Sequence, residues 1–303
     1  MKKRQIAKKF IRAADRTLST VFLAVLMLIL LLALYVTSEN RRIVANASAE
    51  VYQGYKPTAD DTLSFDELVA INPDVIGWLT IDGTNIDYPL VQGSNNETYV
   101  NTSVTGEFSL SGALFLDSRN TPDFSDPVSI VYGHNMTEDM MFGGIDNYAD
   151  PGYFSNHLSG TLFFGGAYYK LDIFAYFSAD GHDTGVYNPL LDENGCRVWL
   201  EHVEEIAVNR TEVLPDSGPI LLMSTCATGH TNGRDLLAAT VRPGGTAPVA
   251  RGDGHISHKG IRLQGSSGTS PWAYLAPSAM VLVGLTVLFV LMKRRKKREE
   301  ANG

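Results

Sequence analysis

The sequence predicts a mostly β domain that closes as a barrel, carries a few added helices and lies between two transmembrane helices. Three observations predict this architecture. With 44% hydrophobic and 19% charged residues, the 303-residue chain suits one or two compact domains and not a disordered chain. Short β-type runs separated by turn residues fill its middle. One long apolar run lies near each end.

The first apolar run, residues 18–36, predicts a transmembrane helix. At about 1.5 Å per residue it is long enough to cross a hydrocarbon layer of about 30 Å. Small-x-small sites at 45–47 and 47–49 would suit a cleavable signal peptide instead. The run is longer than the roughly 7–15 apolar residues of such peptides, and Arg41 and Arg42 precede the sites. We therefore favour a retained anchor.

The second apolar run, residues 272–292, predicts another transmembrane helix, with Trp272 and Tyr274 where an interfacial aromatic belt would lie. An apolar run before a basic tail also ends surface proteins that are sorted to a cell wall, and this would make the chain a substrate. Such proteins carry a Leu-Pro-x-Thr-Gly pentapeptide just upstream, and residues 261–271 contain none. We favour a second anchor.

The charges are segregated along the chain. Between the basic tails at 1–17 and 293–303, the chain keeps 12 of its 25 Lys and Arg but 30 of its 33 Asp and Glu, a net charge of 12 − 30 = −18. By the positive-inside rule both tails are cytoplasmic and residues 37–271 are extracytoplasmic, which predicts a multi-pass protein of the cell membrane. The acidic body would repel nucleic acid, so we expect no such partner.

Between the membrane runs we expect a stalk, a folded domain and a tether. Residues 37–62 are polar and mixed, and residues 243–271 are rich in Gly, Pro and Ser. The polar composition predicts a stalk for 37–62, and the lack of hydrophobic periodicity in 243–271 predicts a tether. The folded domain is then residues 63–242.

The folded domain is predicted to begin with a short helix, for which Ser64 to Glu67 is a capping box and which ends before Asn72-Pro73. Asp82-Gly83 predicts a hairpin turn. Residues 189–208 have apolar spacing closer to a helix, inserted between strands. Seven runs predict strands: 75–81, 86–91, 113–116, 128–132, 168–177, 220–225 and 235–241.

One cysteine stands where chemistry is commonly found. Cys226 ends the apolar run 220–225 and opens a loop of small residues, although most unpaired cysteines are buried structural thiols. A disulfide with Cys196 is another alternative for a domain outside the cell. Two cysteines are too few for a thiolate metal cluster, so no metal is predicted.

A nucleophilic cysteine needs a base and an oxyanion partner. His134 follows the apolar run 128–132, and Arg234 opens the strand after the cysteine loop. Histidine can exchange a proton, and arginine can donate to a developing oxyanion with a permanent charge. His230 is a rival base four residues from Cys226. Because so tight a loop seldom lets two side chains meet, we favour His134.

These residues stand in motifs that resemble those of the sortases, the membrane-anchored cysteine transpeptidases of Gram-positive bacteria. Ser-Thr-Cys226 followed by Arg234 is similar to the family's Thr-x-Thr-Cys and arginine signature. Tyr-Gly-His134-Asn-Met136 resembles its histidine motif.

Class B sortases in particular are resembled by residues 74–89, by residues 112–120 and by Ser224, where a threonine would otherwise stand. The resemblance spans about residues 63–242. It implies the sortase β-barrel with class B additions, namely N-terminal helices before the barrel and a long helix before the cysteine strand. It implies no metal or organic cofactor.

The resemblance also implies the roles of the site residues. Cys226 would attack a C-terminal sorting pentapeptide of a surface protein or pilin and form a thioester. His134 would exchange the proton, and Arg234 would hold the carbonyl oxygen or the substrate backbone. An amine of a peptidoglycan precursor, in the cell-wall cross-bridge, or of a pilin lysine would resolve the thioester. The substrate-binding residues would be Ser224, Thr225 and Asn135.

Wall anchoring and pilin polymerisation both stay open here, since a second, C-terminal membrane helix resembles the topology of pilus-polymerising class C sortases. Two other functions also suit the same residues. One is an extracytoplasmic binding or adhesive domain in which the cysteine is structural. The other is a hydrolytic cysteine protease, which gives its acyl group to water.

Overall fold

The computed structural model describes residues 2–59, 62–226 and 232–247. Several predictions of the sequence lie outside these residues: the tether beyond residue 247, the helix at 272–292, the tail at 293–303 and the rival base His230. The chain divides into two compact units, one containing the helical segment up to Arg42 and the other beginning at Ile43.

The described part of the first unit belongs to a single long helix, α1 (Lys2–Ala47), which contains the predicted membrane run 18–36. Among the described residues, one helical span, Arg4–Ala47, is long and apolar enough to cross a membrane. Its large apolar side chains, such as Leu23 and Leu30, are exposed. Apolar side chains all around a helix suit a lipid environment, in which every backbone polar group is bonded within the helix.

The second unit is built on an eight-stranded closed barrel. Its strands run in the order β5-β1-β2-β3-β4-β8-β9-β6, and pairing of β5 with β6 closes the circle. Only the β2–β3 and β4–β8 pairs are parallel among the described pairings. A two-residue strand, β7, adds to β6. The strands are β1 (Val75–Ile81), β2 (Asp87–Val91), β3 (Leu114–Leu116), β4 (Val128–Tyr132), β5 (Ser159–Phe164), β6 (Ala167–Asp180), β7 (Asn209–Arg210), β8 (Ile220–Cys226) and β9 (Gly233–Pro243).

The barrel confirms the predicted fold class, and seven of its strands match the seven predicted runs. The Asp82-Gly83 turn also joins β1 to β2, with Gly83 at φ 75°. Strands β5 and β7 are absent from the prediction. A signal for β5 was present, because Gly165-Gly166 separates two runs with aromatic residues and is a hairpin turn pair.

Three shorter helices decorate the barrel: α2 (Leu63–Ile71), α3 (Pro151–Asn156) and α4 (Glu193–Ile206). Helix α2 is in the predicted place, but the predicted capping box is wrong. Its N-cap is Thr62, and Ser64 lies inside the helix as a buried residue. Helix α4 precedes the cysteine strand as the resemblance implied, and its N-cap Asp192 accepts from the Gly195 amide.

Two apolar clusters hold the second unit together. Helix α4 packs its buried side, including Trp199 and Cys196, onto the sheet in the smaller cluster. The larger cluster takes residues from strands β1, β2, β3 and β5 and from the segment before α2. Strand β8 contributes alternately to both, with Leu222 beneath α4 and Leu221 and Met223 in the larger cluster. Burial on both faces is the physical reason that its run is apolar without alternation.

The segment expected to be a stalk contributes to this unit. Helix α1 continues to Ala47, and two 3₁₀ turns follow between Ala49 and Tyr55. Ala47, Tyr52 and Tyr55 are buried in the larger cluster. The polar neighbour Lys56 forms an ion pair of 2.7 Å with Asp87 on β2.

Candidate active site

The parallel pairing of β4 with β8 brings the predicted base and nucleophile to one end of the barrel. Tyr132 is the register partner of Ser224, and the next amide, that of Gly133, donates to the Ser224 carbonyl at 3.1 Å. His134 follows β4 by two residues, and Cys226 is the last residue of β8. Both therefore lie just beyond the same pair of registered residues.

The antiparallel pairing of β8 with β9 adds the third predicted residue. Its register runs without interruption from Ile220 opposite Thr240 to Cys226 opposite Arg234. In such a ladder, directly opposed residues have their Cα atoms within roughly 4.5–5.5 Å. The backbone thus brings His134, Cys226 and Arg234 together although they are far apart in sequence.

His134 is held by its ring and by its backbone. Its Nε2 lies 2.8 Å from the Val100 carbonyl, which can only accept, so Nε2 donates and Nδ1 is the nitrogen left for proton exchange. Its own carbonyl accepts from the Phe142 amide at 3.0 Å. Residues 135–143, which we call the histidine loop, fold back on this position, with Asn135 paired to Met141 in a β-bridge.

Arg234 is half-buried, and its Nη1 donates to the Gly233 carbonyl at 3.0 Å. Within the described part of the chain it has no ion-pair partner, so its charge is not neutralised by a neighbouring carboxylate there. Gly181, at the end of β6, lies against the guanidinium: a Cβ there would come within 3.3 Å of Arg234 Cζ. The backbone at Gly181 therefore packs against the Arg234 guanidinium, and no carboxylate among the described residues pairs with it.

One cavity of about 580 Å³ is lined by His134 and Arg234 together. Its size is that of a small-molecule or peptide subsite. It combines the predicted base and arginine with two of the predicted substrate-binding residues and with residues from the β2–β3 and β6–α4 connections. The lining is Asn96, Val100, Phe115, Arg119, Tyr132, Gly133, His134, Gly181, His182, Asp183, Thr184, Tyr187, Ser224, Thr225 and Arg234.

The predicted substrate-binding residues are placed differently from one another. Ser224 and Thr225 are buried and line the cavity. The Thr225 Oγ1 is buried with no hydrogen-bond partner among the described residues, which leaves a polar group for a ligand. Asn135 is half-buried in the histidine loop and is not among the residues that line the cavity.

Tyr187 is a cavity residue that the sequence did not single out. Its hydroxyl lies 2.7 Å from the Ser224 Oγ, and its ring stacks on that of Tyr132 with centroids 6.4 Å apart. The neighbouring Val186 carbonyl accepts from Trp199 Nε1 on α4 at 3.1 Å. Helix α4 thereby supports the part of the cavity wall that Tyr187 forms.

A buried carboxylate organises the other wall. Asp117 receives two hydrogen bonds from the Arg119 guanidinium, at 2.9 and 2.8 Å, and others from the Tyr132 hydroxyl and the Asn96 amide. Burial raises the pKa of Asp117, but the bonds from Arg119 and Tyr132 together outweigh it and lower that pKa below its ordinary value. The sequence analysis did not predict this pair, but the Asp-x-Arg spacing directly after an apolar strand is a pattern from which it could have been predicted.

Cys196 is a free thiol on the buried side of α4, where burial raises its pKa. The alternative of a Cys196–Cys226 disulfide is therefore wrong, because α4 packs Cys196 into the apolar cluster with its thiol unpaired. A raised pKa and complete burial also make Cys196 a poor nucleophile.

Comparison by sequence and comparison by fold both find class B sortases that are similar to this chain. The chain is 30% identical over 199 residues to sortase B of Listeria monocytogenes, covering 64% of this chain and 81% of the relative. Its fold is similar to that of Clostridium perfringens sortase B, with a TM-score of 0.55, 29% identity and coverage of 58% and 98% of the two chains. A class B sortase of Streptococcus pyogenes involved in pilus biogenesis has a TM-score of 0.53, 37% identity and coverage of 59% and 97%. No protein-family model matches the chain.

Proposed function

The chain belongs to the sortase B family, and on this premise we propose that Cys226, His134 and Arg234 carry out its transpeptidase reaction. As a sortase it is a cysteine transpeptidase, and its substrates are surface proteins or pilins. The observation that carries the residue assignment is the strand register. Pairing of β4 with β8 and of β8 with β9 brings these three residues to one end of the barrel.

The first half-reaction forms a thioester. The Cys226 thiol gives its proton to His134, and the thiolate attacks the carbonyl carbon of the scissile bond in the sorting pentapeptide. The oxyanion that develops on the carbonyl is stabilised by the Arg234 guanidinium. The carbon–nitrogen bond then breaks, and His134 returns its proton to the departing amine.

The second half-reaction transfers the acyl group. An acceptor amine attacks the thioester carbonyl, His134 takes a proton from that amine, and the carbon–sulfur bond breaks to release the Cys226 thiolate. The product is a new amide. Two acceptors fit this chemistry, the amine of a cell-wall cross-bridge and the side chain of a pilin lysine. The similarity to a sortase involved in pilus biogenesis supports testing both.

Substrate binding is assigned to the cavity beside the three residues. The buried Thr225 Oγ1 can hydrogen-bond a backbone group of the pentapeptide, which gives this atom a partner it otherwise lacks among the described residues. Ser224 would contact the same peptide from the part of the cavity wall that it forms together with Tyr187. Asn135 would act from the histidine loop at the edge of the site.

The catalytic domain, residues 63–242, is proposed to work outside the membrane. Helix α1 supplies a candidate anchor. The run 272–292 would be the second, and the basic tails 1–17 and 293–303 would then both be cytoplasmic.

The experiment is mass spectrometry of the full chain in detergent with Leu-Pro-x-Thr-Gly and Asn-Pro-x-Thr-x peptides, with and without triglycine or a lysine amide. We expect a covalent adduct on Cys226 and a ligated product with one of the amines. Cys196→Ala is the matched control and should keep both. An adduct that persists in Cys226→Ala contradicts the assignment, and release of free acid alone in the presence of amines would favour the hydrolytic protease.

A further inference from the structure

A buried tyrosine outside the cavity bridges three parts of the second unit. Tyr88, on β2, is only 2% exposed. Its hydroxyl donates to the carbonyl of Ala47, the last residue of α1, at 2.9 Å. It also accepts from the amide of Met141, in the histidine loop, at 3.0 Å.

The Ala47 contact fixes the direction of the Tyr88 hydroxyl. A tyrosine hydroxyl has one proton, and a carbonyl can only accept. Since the hydroxyl proton is used in the hydrogen bond to the Ala47 carbonyl, the oxygen lone pairs of Tyr88 accept from the Met141 amide. Burial raises the pKa of Tyr88, so the proton stays in place across the neutral and moderately alkaline range.

Met141 is adjacent to the residue that holds the catalytic histidine. The Phe142 amide donates to the His134 carbonyl, and Met141 pairs with Asn135 on the other side. The position of Met141 therefore determines where the backbone of Asn135 and of Phe142 lies, and these are the neighbours of His134 in sequence and in hydrogen bonding.

The histidine loop needs such support because it is strained. Three of its non-glycine residues have left-handed backbone conformations: Glu138 at φ 61°, Asp139 at φ 55° and Met141 at φ 52°. Conformations of this kind persist only where surrounding contacts hold them, and they concentrate at functional sites. The β1–β2 hairpin provides two of these contacts, since the exposed Asn85 side chain also donates to the Glu138 carbonyl at 3.1 Å.

We propose that Tyr88 is a positioning residue for the transpeptidase: through the Met141 amide it holds the strained histidine loop in the conformation that places His134. Asn85 supports the outer part of the same loop. The inference rests on the proposed role of His134. It assigns no contact with substrate to Tyr88, and it makes the Ala47 carbonyl the group that orients the hydroxyl.

The test compares Tyr88→Phe and Asn85→Ala with the wild-type full chain in detergent, using peptide and triglycine. Tyr88→Phe should lower kcat about tenfold, a factor equivalent to about 1.4 kcal/mol and typical of one lost hydrogen bond, with the KM for peptide unchanged. Its pH–rate profile should shift, because His134 is displaced. Amide exchange at Met141 and Phe142 should accelerate while β8 and β9 keep their protection. Asn85→Ala should lower kcat by a smaller factor.

The matched control is Tyr148→Phe, which removes another buried tyrosine hydroxyl that donates to a backbone carbonyl, that of His157, at 2.9 Å. It should leave kcat and the pH profile unchanged. The proposal would be overturned if kcat fell equally in Tyr88→Phe and Tyr148→Phe and the fall followed the decrease in melting temperature of each variant. So would wild-type kcat in both Tyr88→Phe and Asn85→Ala. Full activity in His134→Asn would instead remove the premise about His134, and this outcome is separate because it does not depend on Tyr88.

Discussion

Cys226 is the register partner of Arg234 in the antiparallel β8–β9 pair. They are eight positions apart in sequence, yet the ladder sets their backbones directly opposite each other. The permanent charge of a guanidinium beside a cysteine favours the thiolate and can later stabilise an oxyanion. For the proposed roles of Cys226 and Arg234, this pairing sets the two backbones side by side.

Replacing Arg234 should reduce activity in a way that depends on the shape of the cation. Arg234→Met should lower kcat/KM about 10²–10³-fold, the usual cost of losing an oxyanion donor. Arg234→Lys should recover only part of this loss, because an ammonium lacks the planar fork of donors. Steady-state kinetics with the ligated peptide as product measure both variants. Arg242→Met, on the same strand but exposed, is the control, and an equal loss there would contradict the assignment.

Replacing His134 should remove proton exchange and leave the fold intact. His134→Gln should lower kcat about 10²–10⁴-fold, the range for a general acid–base. The contact to the Val100 carbonyl can be kept by the glutamine amide. His157→Gln is the matched control, since it also contacts a backbone carbonyl, that of Tyr153. Similar activity in the two variants would show that another group moves the proton.

Asp117 should contribute stability that depends on pH. Its pKa is lowered in the folded chain, so its contribution is present above the unfolded pKa of about 3.9 and is lost as pH falls through the folded value. Asp117→Asn should cost about 1–2 kcal/mol at neutral pH, because the Tyr132 hydroxyl loses its anionic acceptor while the half-exposed Arg119 side chain keeps access to water. Thermal unfolding of both proteins between about pH 5 and 2 should show the difference narrowing towards acid. A constant difference would contradict this account.

Tyr187 should affect peptide binding more than chemistry. Tyr187→Phe removes the 2.7 Å bond to Ser224 and loosens one wall of the cavity. We expect the KM for peptide to rise about three- to tenfold, with kcat changed less than about twofold. Tyr168→Phe is a suitable control, because the Tyr168 hydroxyl is buried without a hydrogen-bond partner among the described residues. A fall in kcat at unchanged KM would place Tyr187 in the chemical step instead.

The two-anchor topology can be tested with a fluorescent protein that matures only in the cytoplasm. Fused after Gly303 it should fluoresce, since the basic run 293–298 favours a cytoplasmic C terminus. Fused after residue 247, before the predicted second helix, it should remain dark. A dark fusion at Gly303, with the protein detected by immunoblot, would contradict the second crossing.

Much of the fold could be predicted because local sequence and burial agree. Strands β1 and β4 begin and end where the apolar runs do, since turn residues flank both. Strand β5 was missed because it begins with Ser159 and Gly160 and has only a short apolar end. The predicted capping box at Ser64 was wrong for a different reason. The residue types of the motif are present, but packing buries Ser64 inside a helix that begins one residue earlier, at Leu63.

The sequence by itself predicted the class of the domain and an apolar run long enough to span a membrane, and it singled out Cys226, His134 and Arg234 as candidate site residues, because these follow from periodicity and from motifs local in the chain. Only the tertiary structure decided which distant residues support them. The Asp117–Tyr132 bond, the Tyr187–Ser224 contact and the Tyr88 bridge from Ala47 to Met141 join segments up to 94 residues apart. No local pattern encodes such contacts, since they arise when barrel closure brings strand ends and connections together and every buried polar group must find its partner there.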